Sequence, residues 1–113
     1  LVLGVATMDS EAGIKATLSD FGCLHLFDYA VGYDSGFGSK PGPGMVLGFC
    51  QHTGLKPEEV MVVGDNTHDL HMGQSAGAGF NVGVLTGTST RSELITDADL
   101  VLDSIADLRA LWA

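Results

Sequence analysis

Short apolar runs alternate along the chain with segments in which apolar residues recur every three or four positions. Continuous apolar runs are typical of strands buried on both faces of a sheet, and the longer spacing is typical of amphipathic helices. We predict strands at residues 1–7, 29–33, 60–63 and 80–85, and a last strand within 98–103. Because strands and helices alternate throughout, the pattern predicts an α/β fold with a parallel sheet that helices cover on both faces.

Capping residues and glycines mark the ends of the helices between these strands. We predict helices from Asp9 or Ser10 to Gly22, at 43–53, at 57–59, at 67–76, after a capping box at 90–93, and after Ser104. We predict that the first helix carries Ile14, Leu18 and Phe21 on one side and that the second has Val46, Phe49 and Cys50 facing inward. The last helix bears Ile105, Leu108 and Leu111.

Composition and charge narrow the class of protein. The 113 residues are 45% hydrophobic and 17% charged, which is typical of one globular domain. No apolar run approaches the roughly 18 residues of a membrane span, and we recognise no secretory leader, so we expect no membrane association. The formal net charge of −9 argues against nucleic acid as a partner, because such binding relies on clustered Lys and Arg. The acidic net charge is compatible with a small phosphorylated metabolite as partner, since one lysine and one metal ion can supply the positive charge that binds its phosphate.

The two cysteines, Cys23 and Cys50, lie in apolar surroundings. Buried reduced thiols are the usual state of such residues in cytosolic proteins. We therefore expect no disulfide and predict a cytoplasmic location.

Polar side chains follow three of the predicted strands, at the edge of a parallel sheet where ligands gather. Thr7 follows the first strand, Lys40 lies in the loop after the second, and Asp65 and Asp69 follow the third. Four residues is a helical spacing, so the two aspartates are expected to share a helix face and to repel each other unless a cation lies between them. A hydroxyl and an ammonium suit a phosphoryl group, and paired carboxylates suit Mg²⁺. Together these residues predict a site for a magnesium-bound phosphate.

Each of these residues also has an ordinary structural interpretation. Thr7 can simply end a strand, and Lys40 can be a solvated loop lysine. Asp65 and Asp69 can favour a helix N-terminus, where a negative charge is worth roughly 0.3–1 kcal/mol. The order and spacing of all of them favour the functional interpretation.

Three segments resemble motifs of the haloacid dehalogenase-like (HAD) phosphatases: "LGVAT", "GSKPGPGM" and "VVGDNTHDLHMGQSAGAG". They are similar to the second, third and fourth motifs of that superfamily. The strand followed by Gly-Asp-x-x-x-Asp is the most specific of them. The tail, residues 82–108, is similar to the phosphoglycolate phosphatase-like branch, so the resemblance covers almost the whole chain.

The resemblance implies a Rossmann-like three-layer core and a Mg²⁺-dependent phosphomonoesterase that works through an aspartyl-phosphate. It implies that Thr7 and Met8 bind the substrate phosphate and that Lys40 neutralises it together with the nucleophile. Asp65 is implied to bind Mg²⁺ directly or through water, and Asp69 to support the ion or its water.

The chain departs from the family in two respects. The first motif, a strand ending in Asp-x-Asp that supplies nucleophile and general acid, is not present, nor is the cap domain that selects the substrate. Asp97-Ala-Asp99 has the right letters but precedes its strand, and Asp9-Ser-Glu11 lies where the family has its threonine motif. We therefore expect residues 1–113 to be the C-terminal portion of a HAD core domain, inactive when isolated. The alternatives are a phosphate- or metal-binding half-domain that needs a partner chain, and a non-catalytic scaffold.

The family's missing first strand would lie between the strand that ends at Thr7 and the strand that ends near Val63. Without it, both strands are expected to have an unpaired edge, which predicts self-association.

Two further motifs are weaker. Gly36-Phe-Gly38 lacks the third glycine of a dinucleotide-binding motif. His68 and His71 could be spaced for zinc, but no cysteine or third histidine accompanies them, and polar positions on a partly exposed helix are the expected interpretation.

Overall fold

The computed structural model describes residues 1–111 and contains five strands and four α-helices within that range. The strands are β1 (Gly4–Ala6), β2 (Tyr29–Val31), β3 (Met61–Gly64), β4 (Phe80–Val84) and β5 (Leu100–Leu102). The helices are α1 (Glu11–Asp20), α2 (Gly44–Thr53), α3 (Thr67–Ala76) and α4 (Arg91–Leu94). Three 3₁₀ segments complete the fold: Leu24–Leu26, Pro57–Glu59 and Ile105–Leu111. No helix in the described range is long and apolar enough to cross a membrane.

All strand pairings are parallel, which confirms the predicted α/β class. β1 pairs with β2, and β4 lies between β3 and β5. The five strands form two sheets, because β1 and β3 are not paired with each other. Each of these two strands therefore has an edge that no other described strand covers, as the sequence predicted.

One apolar core joins the two sheets through α2. Met45, Val46 and Cys50 of this helix share a buried cluster with Val31 of β2. The same cluster contains Val62 of β3 and, from helix α3, Met72 and Ala76. The most deeply buried side chains of the described residues are Met45, Leu70, Val82 and Leu94. Full burial of an aliphatic side chain is worth about 1.5–3 kcal/mol, so the cluster around α2 stabilises the packing of the two sheets, which share no ladder.

The helix ends follow the sequence signals. Ser10 caps α1 by accepting a hydrogen bond from the Gly13 N–H at 2.9 Å. Thr90 and Glu93 form the predicted capping box at α4. α2 and α3 end at Gly54 and Gly77, whose φ values of 78° and 82° lie in the left-handed region that glycine adopts readily.

Three predictions about local structure were wrong. Phe21 does not face the core but is 81% exposed, because α1 ends at Asp20 and Phe21 is its C-cap. The first strand is shorter than predicted: β1 is Gly4–Ala6, and Leu1, which precedes it, is 95% exposed. The last helical segment is 3₁₀ rather than α, and the side chain of Leu111 lies outside the described residues.

Cys23 and Cys50 are both free in the structure; Cys50 is buried and Cys23 is partly buried.

Candidate active site

A surface cleft of about 280 Å³ lies where three segments of the chain meet. The segments are the turn after β1, the loop after β2, and the junction of β3 with α3. The cleft is lined by Met8, Lys40, Asp65, Asn66, His68 and Asp69. The structure thus brings together four of the five residues that the sequence nominated, at the carboxyl ends of parallel strands.

Lys40 and Asp69 form an ion pair inside this cleft. Lys40 Nζ lies 2.6 Å from Asp69 Oδ1, and the two side chains are only 14% and 9% exposed. The other carboxylate oxygen, Oδ2, accepts a hydrogen bond from the backbone N–H of Asn66 at 3.2 Å. Both oxygens of Asp69 are therefore engaged by the protein. An ammonium has three donors, so Lys40 keeps two for a ligand in the cleft.

Gly64, the last residue of β3, makes this position of Asp69 sterically accessible. A Cβ placed on Gly64 would overlap the side chain of Asp69. Asp69 is also the third residue of α3, where it completes a capping box with Asn66. The Gly-Asp-x-x-x-Asp spacing thus places the second aspartate over the end of its own strand.

The expectation that Asp65 and Asp69 repel each other across one helix face was wrong. Asp65 lies before the cap residue Asn66 and outside α3, whereas Asp69 is in the first turn of the helix. Asp69 is turned back towards Lys40 and the Asn66 N–H, and Asp65 is exposed at the cleft. In the structure, the ammonium of Lys40 compensates the charge of Asp69.

Thr7 is the nominated residue that does not line the cleft. Its backbone N–H donates to the Val31 carbonyl at 3.1 Å and continues the pairing of β1 with β2. Its hydroxyl oxygen accepts from the Asp9 N–H at 3.1 Å, which leaves the hydroxyl proton available as a donor. Met8, the next residue, forms the cleft wall on this side.

Two lining residues, Asn66 and His68, were not nominated as site residues from the sequence. Asn66 Oδ1 accepts from the His68 N–H at 2.9 Å and caps α3. The sequence feature that could have indicated these two residues is their position between Asp65 and Asp69. His71, the other histidine of this helix, points elsewhere: its Nε2 lies 2.8 Å from Asp97 Oδ2.

The donor set around Asp65 fits Mg²⁺ better than zinc. Within residues 1–111, no three His, Cys, Asp or Glu side chains are grouped closely enough to enclose a metal ion. Structural zinc sites need such a group, whereas Mg²⁺ is commonly held by one or two carboxylates, water and substrate phosphate. An exposed carboxylate beside a lysine and a helix N-terminus is compatible with the second kind of site.

The aspartates that resemble the family's first motif lie elsewhere or are already engaged. Asp99 precedes β5 and accepts a hydrogen bond from the Asn81 N–H at 2.7 Å, at the amino end of the strands. Asp9 Oδ1 accepts from the Ser10 N–H, and Glu11 binds Lys15 at 2.8 Å. The hydrogen bonds to Lys15 and Ser35 lower the pKa of Glu11. None of these three carboxylates lines the cleft.

The parallel α/β fold with a polar cleft at the carboxyl ends of its strands is typical of α/β domains that bind a ligand at this edge of the sheet, and comparison with known proteins identifies the family. The sequence pattern of haloacid dehalogenase-like hydrolases matches residues 1–82, so the chain belongs to that family. This confirms the resemblance read from the motifs.

The chain is 33% identical to a probable phosphatase IndB of Dickeya dadantii (strain 3937), over 94% of this chain and 46% of that protein. It is 36% identical to pyrophosphatase PpaX of Halalkalibacterium halodurans, over 92% of this chain and 48% of that protein. The crystal structure of a predicted phosphoglycolate phosphatase from Haemophilus somnus 129PT superposes with a TM-score of 0.89 at 28% identity, over 99% of this chain and 50% of that one. The chain thus spans about half the length of the curated relatives it matches.

Proposed function

We propose that this chain forms the phosphate-binding and magnesium-binding part of a phosphomonoesterase that acts on a small phosphorylated metabolite. The observation that carries the proposal is the Lys40 ammonium, held by buried Asp69 in a cleft that exposed Asp65 also lines. Membership of the hydrolase family and the phosphatase names of its relatives support it.

Lys40 would bind the phosphoryl group of the substrate. Its ammonium is only slightly exposed to water, and its position is fixed by the 2.6 Å contact with Asp69. A donor held in place before the reaction needs no reorganisation when charge develops on the phosphoryl oxygens, and partial exclusion of water strengthens its electrostatic effect. Lys40 therefore acts as a pre-positioned positive charge.

Asp65 would hold the magnesium ion. Asp69 would contribute negative charge near the ion without binding it directly, because both carboxylate oxygens of Asp69 already have partners in the protein. When bound, Mg²⁺ neutralises phosphoryl oxygens and orients the group for attack. Met8 would supply strand-end backbone to the phosphate from its side of the cleft, and Thr7, the residue before it, would turn its hydroxyl proton towards the same group.

The reaction would proceed by attack of a carboxylate on phosphorus, with release of the alcohol and formation of an aspartyl-phosphate that water then hydrolyses. Among residues 1–111, no Asp-x-Asp pair follows a strand into the cleft. We therefore place the nucleophile and general acid outside these residues, on another segment or another chain. Residues 1–113 by themselves would bind phosphate and metal but not turn over a substrate.

Calorimetric titration of the chain with inorganic phosphate in the presence of Mg²⁺ tests this proposal. Lys40→Ala should weaken phosphate binding at least about tenfold, because a hydrogen bond to a charged group contributes roughly 1.5–3 kcal/mol. Lys56→Ala is the matched control, since Lys56 is an exposed lysine outside the cleft and its loss changes the net charge equally. Equal phosphate affinity in the Lys40→Ala variant and the wild type would contradict the proposal.

A further inference from the structure

Each of the two cleft carboxylates lies against a glycine. Gly64 lies beneath Asp69, as described above, and Gly87 lies against Asp65. A Cβ placed on Gly87 would overlap Oδ2, Cβ and Cγ of Asp65. The backbone of Gly87 is not in the left-handed region, so its conformation alone would accept other residues. The contact with Asp65 is therefore the feature that requires glycine at this position.

The segment that carries Gly87 is anchored at both ends. It leaves the end of β4 beside β3, where Gly83 pairs with Gly64. At its start, the Leu85 N–H donates to the Leu102 carbonyl at 3.0 Å. At its end, Thr90 donates its backbone N–H to Glu93 Oε1 at 2.8 Å within the capping box of α4. Residues 85–90 are thus held across the carboxyl end of the strands.

We propose that Gly87 is a positioning residue, which lets the segment 85–90 pack directly on Asp65 and restrict its carboxylate to an orientation that faces the cleft. The proposal rests on the proposed function in treating Asp65 as the magnesium-binding carboxylate. It adds a fourth segment of the protein, the β4–α4 connection, to the three segments that define the site.

The physical basis is the restriction of an exposed carboxylate. A solvent-exposed aspartate samples several rotamers, and each is a competing state that a metal ion must displace. Groups that orient a metal ligand without touching the metal typically change the metal affinity by about 10–100-fold when they are altered. Gly87→Ala adds a single methyl group, keeps every charge, and forces either Asp65 or the segment to move.

Binding of Mn²⁺, used as a paramagnetic probe for the Mg²⁺ site, tests the proposal without any enzymatic assay. Free Mn²⁺ is counted by electron paramagnetic resonance for the wild type and for three variants: Gly87→Ala, Asp65→Asn and Thr88→Ala. Thr88 is an exposed residue of the same segment and serves as the control for general changes there. We expect Asp65→Asn to abolish binding, Gly87→Ala to weaken it about tenfold or more, and Thr88→Ala to leave it unchanged.

If Gly87→Ala binds Mn²⁺ as the wild type does while Asp65→Asn does not, the positioning role is refuted and the proposed function stands. If the wild type binds no Mn²⁺, or if Asp65→Asn binds it equally well, the metal assignment of the proposed function fails instead.

A double-mutant cycle on the urea midpoint tests the Gly87–Asp65 contact independently of any metal. Asp65→Gly removes all the atoms that a methyl group on Gly87 would overlap. Gly87→Ala should therefore lower the midpoint in the wild-type background and have little effect in the Asp65→Gly background. If Gly87→Ala does not fold alone, the double variant should restore folding. An equal effect in both backgrounds, or no effect in either, would overturn the proposal.

Discussion

Replacement of Asp69 by asparagine should destabilise the protein strongly, although it changes the shape of the side chain very little. The amide oxygen can still accept the hydrogen bond from the Asn66 N–H, but the negative charge opposite Lys40 is lost. Removal of one partner from a buried ion pair costs about 3–5 kcal/mol, because the other charge stays buried without compensation. Lys40 is 14% exposed and lines the cleft, so its ammonium can partly recover contact with water. We therefore expect the free energy of unfolding to fall by about 3 kcal/mol, the lower limit of that range.

Urea unfolding at a fixed protein concentration measures this loss of unfolding free energy, provided that the slope of that free energy against urea concentration is the same in both proteins. Asp103→Asn is the matched control, because it makes the same chemical change in the exposed Arg91–Asp103 pair, whose atoms are 3.3 Å apart. Exposed pairs typically contribute between about 0 and 1 kcal/mol, so the control should change little.

A second variant and the double variant separate the ion pair from other effects. Lys40→Met leaves the Asp69 carboxylate without its counter-ion and should also destabilise the protein. Because each single substitution leaves one charge without its partner, the double variant should be more stable than the sum of the two losses predicts. Losses that add, or an Asp69→Asn variant within about 0.5 kcal/mol of the wild type, would refute the assignment of a buried Lys40–Asp69 pair.

Three further predictions follow from the same structure. The isolated chain should hydrolyse p-nitrophenyl phosphate no faster than background, and turnover that survives Asp65→Asn would contradict the assignment of the site. The uncovered edges of β1 and β3 should cause self-association, so light scattering should detect oligomers or aggregates. A monodisperse monomer that unfolds cooperatively would show that these edges do not pair with other copies of the chain. Burial, with a smaller contribution from the charges of Glu58 and Glu59, raises the pKa of the Cys50 thiol, so Cys50 should stay protonated at neutral pH. Ellman's reagent should modify it more slowly than Cys23 at pH ~8, and equal rates would contradict its burial.

The order of the elements could be predicted from the sequence because local chemistry determines it. The apolar run Val60–Val63 predicts β3 to within one residue at each end. Gly77 marks the end of α3, which the structure places at Ala76. The rule that ligands gather at the carboxyl ends of parallel strands was enough to place Lys40, Asp65 and Asp69 in one cleft.

The partners of those side chains could not be predicted in the same way. The contact of Lys40 with Asp69 joins the loop after β2 to α3, and no spacing within either segment encodes their distance. Helical periodicity alone suggested that Asp65 and Asp69 face each other, whereas capping turns Asp69 back over Gly64. The contact of Gly87 with Asp65 likewise depends on the neighbouring positions of β3 and β4. The exposure of Phe21 depends on where α1 ends, which the spacing of its apolar residues does not determine.

The dependence of phosphate affinity on Mg²⁺ is the most direct test of the claim that Lys40 and Asp65 belong to one site. The measurement compares the dissociation constant of inorganic phosphate with and without saturating Mg²⁺, for the wild type and for Asp65→Asn. Two bound ligands that favour each other are coupled by typically about 5–150-fold in affinity even at separate sites, so an ion in direct contact with the phosphate should tighten phosphate binding by about tenfold or more in the wild type. In Asp65→Asn, Mg²⁺ should leave phosphate binding unchanged. An equal response to Mg²⁺ in both proteins would show that Asp65 does not bind the ion that accompanies the phosphate, and would contradict the account.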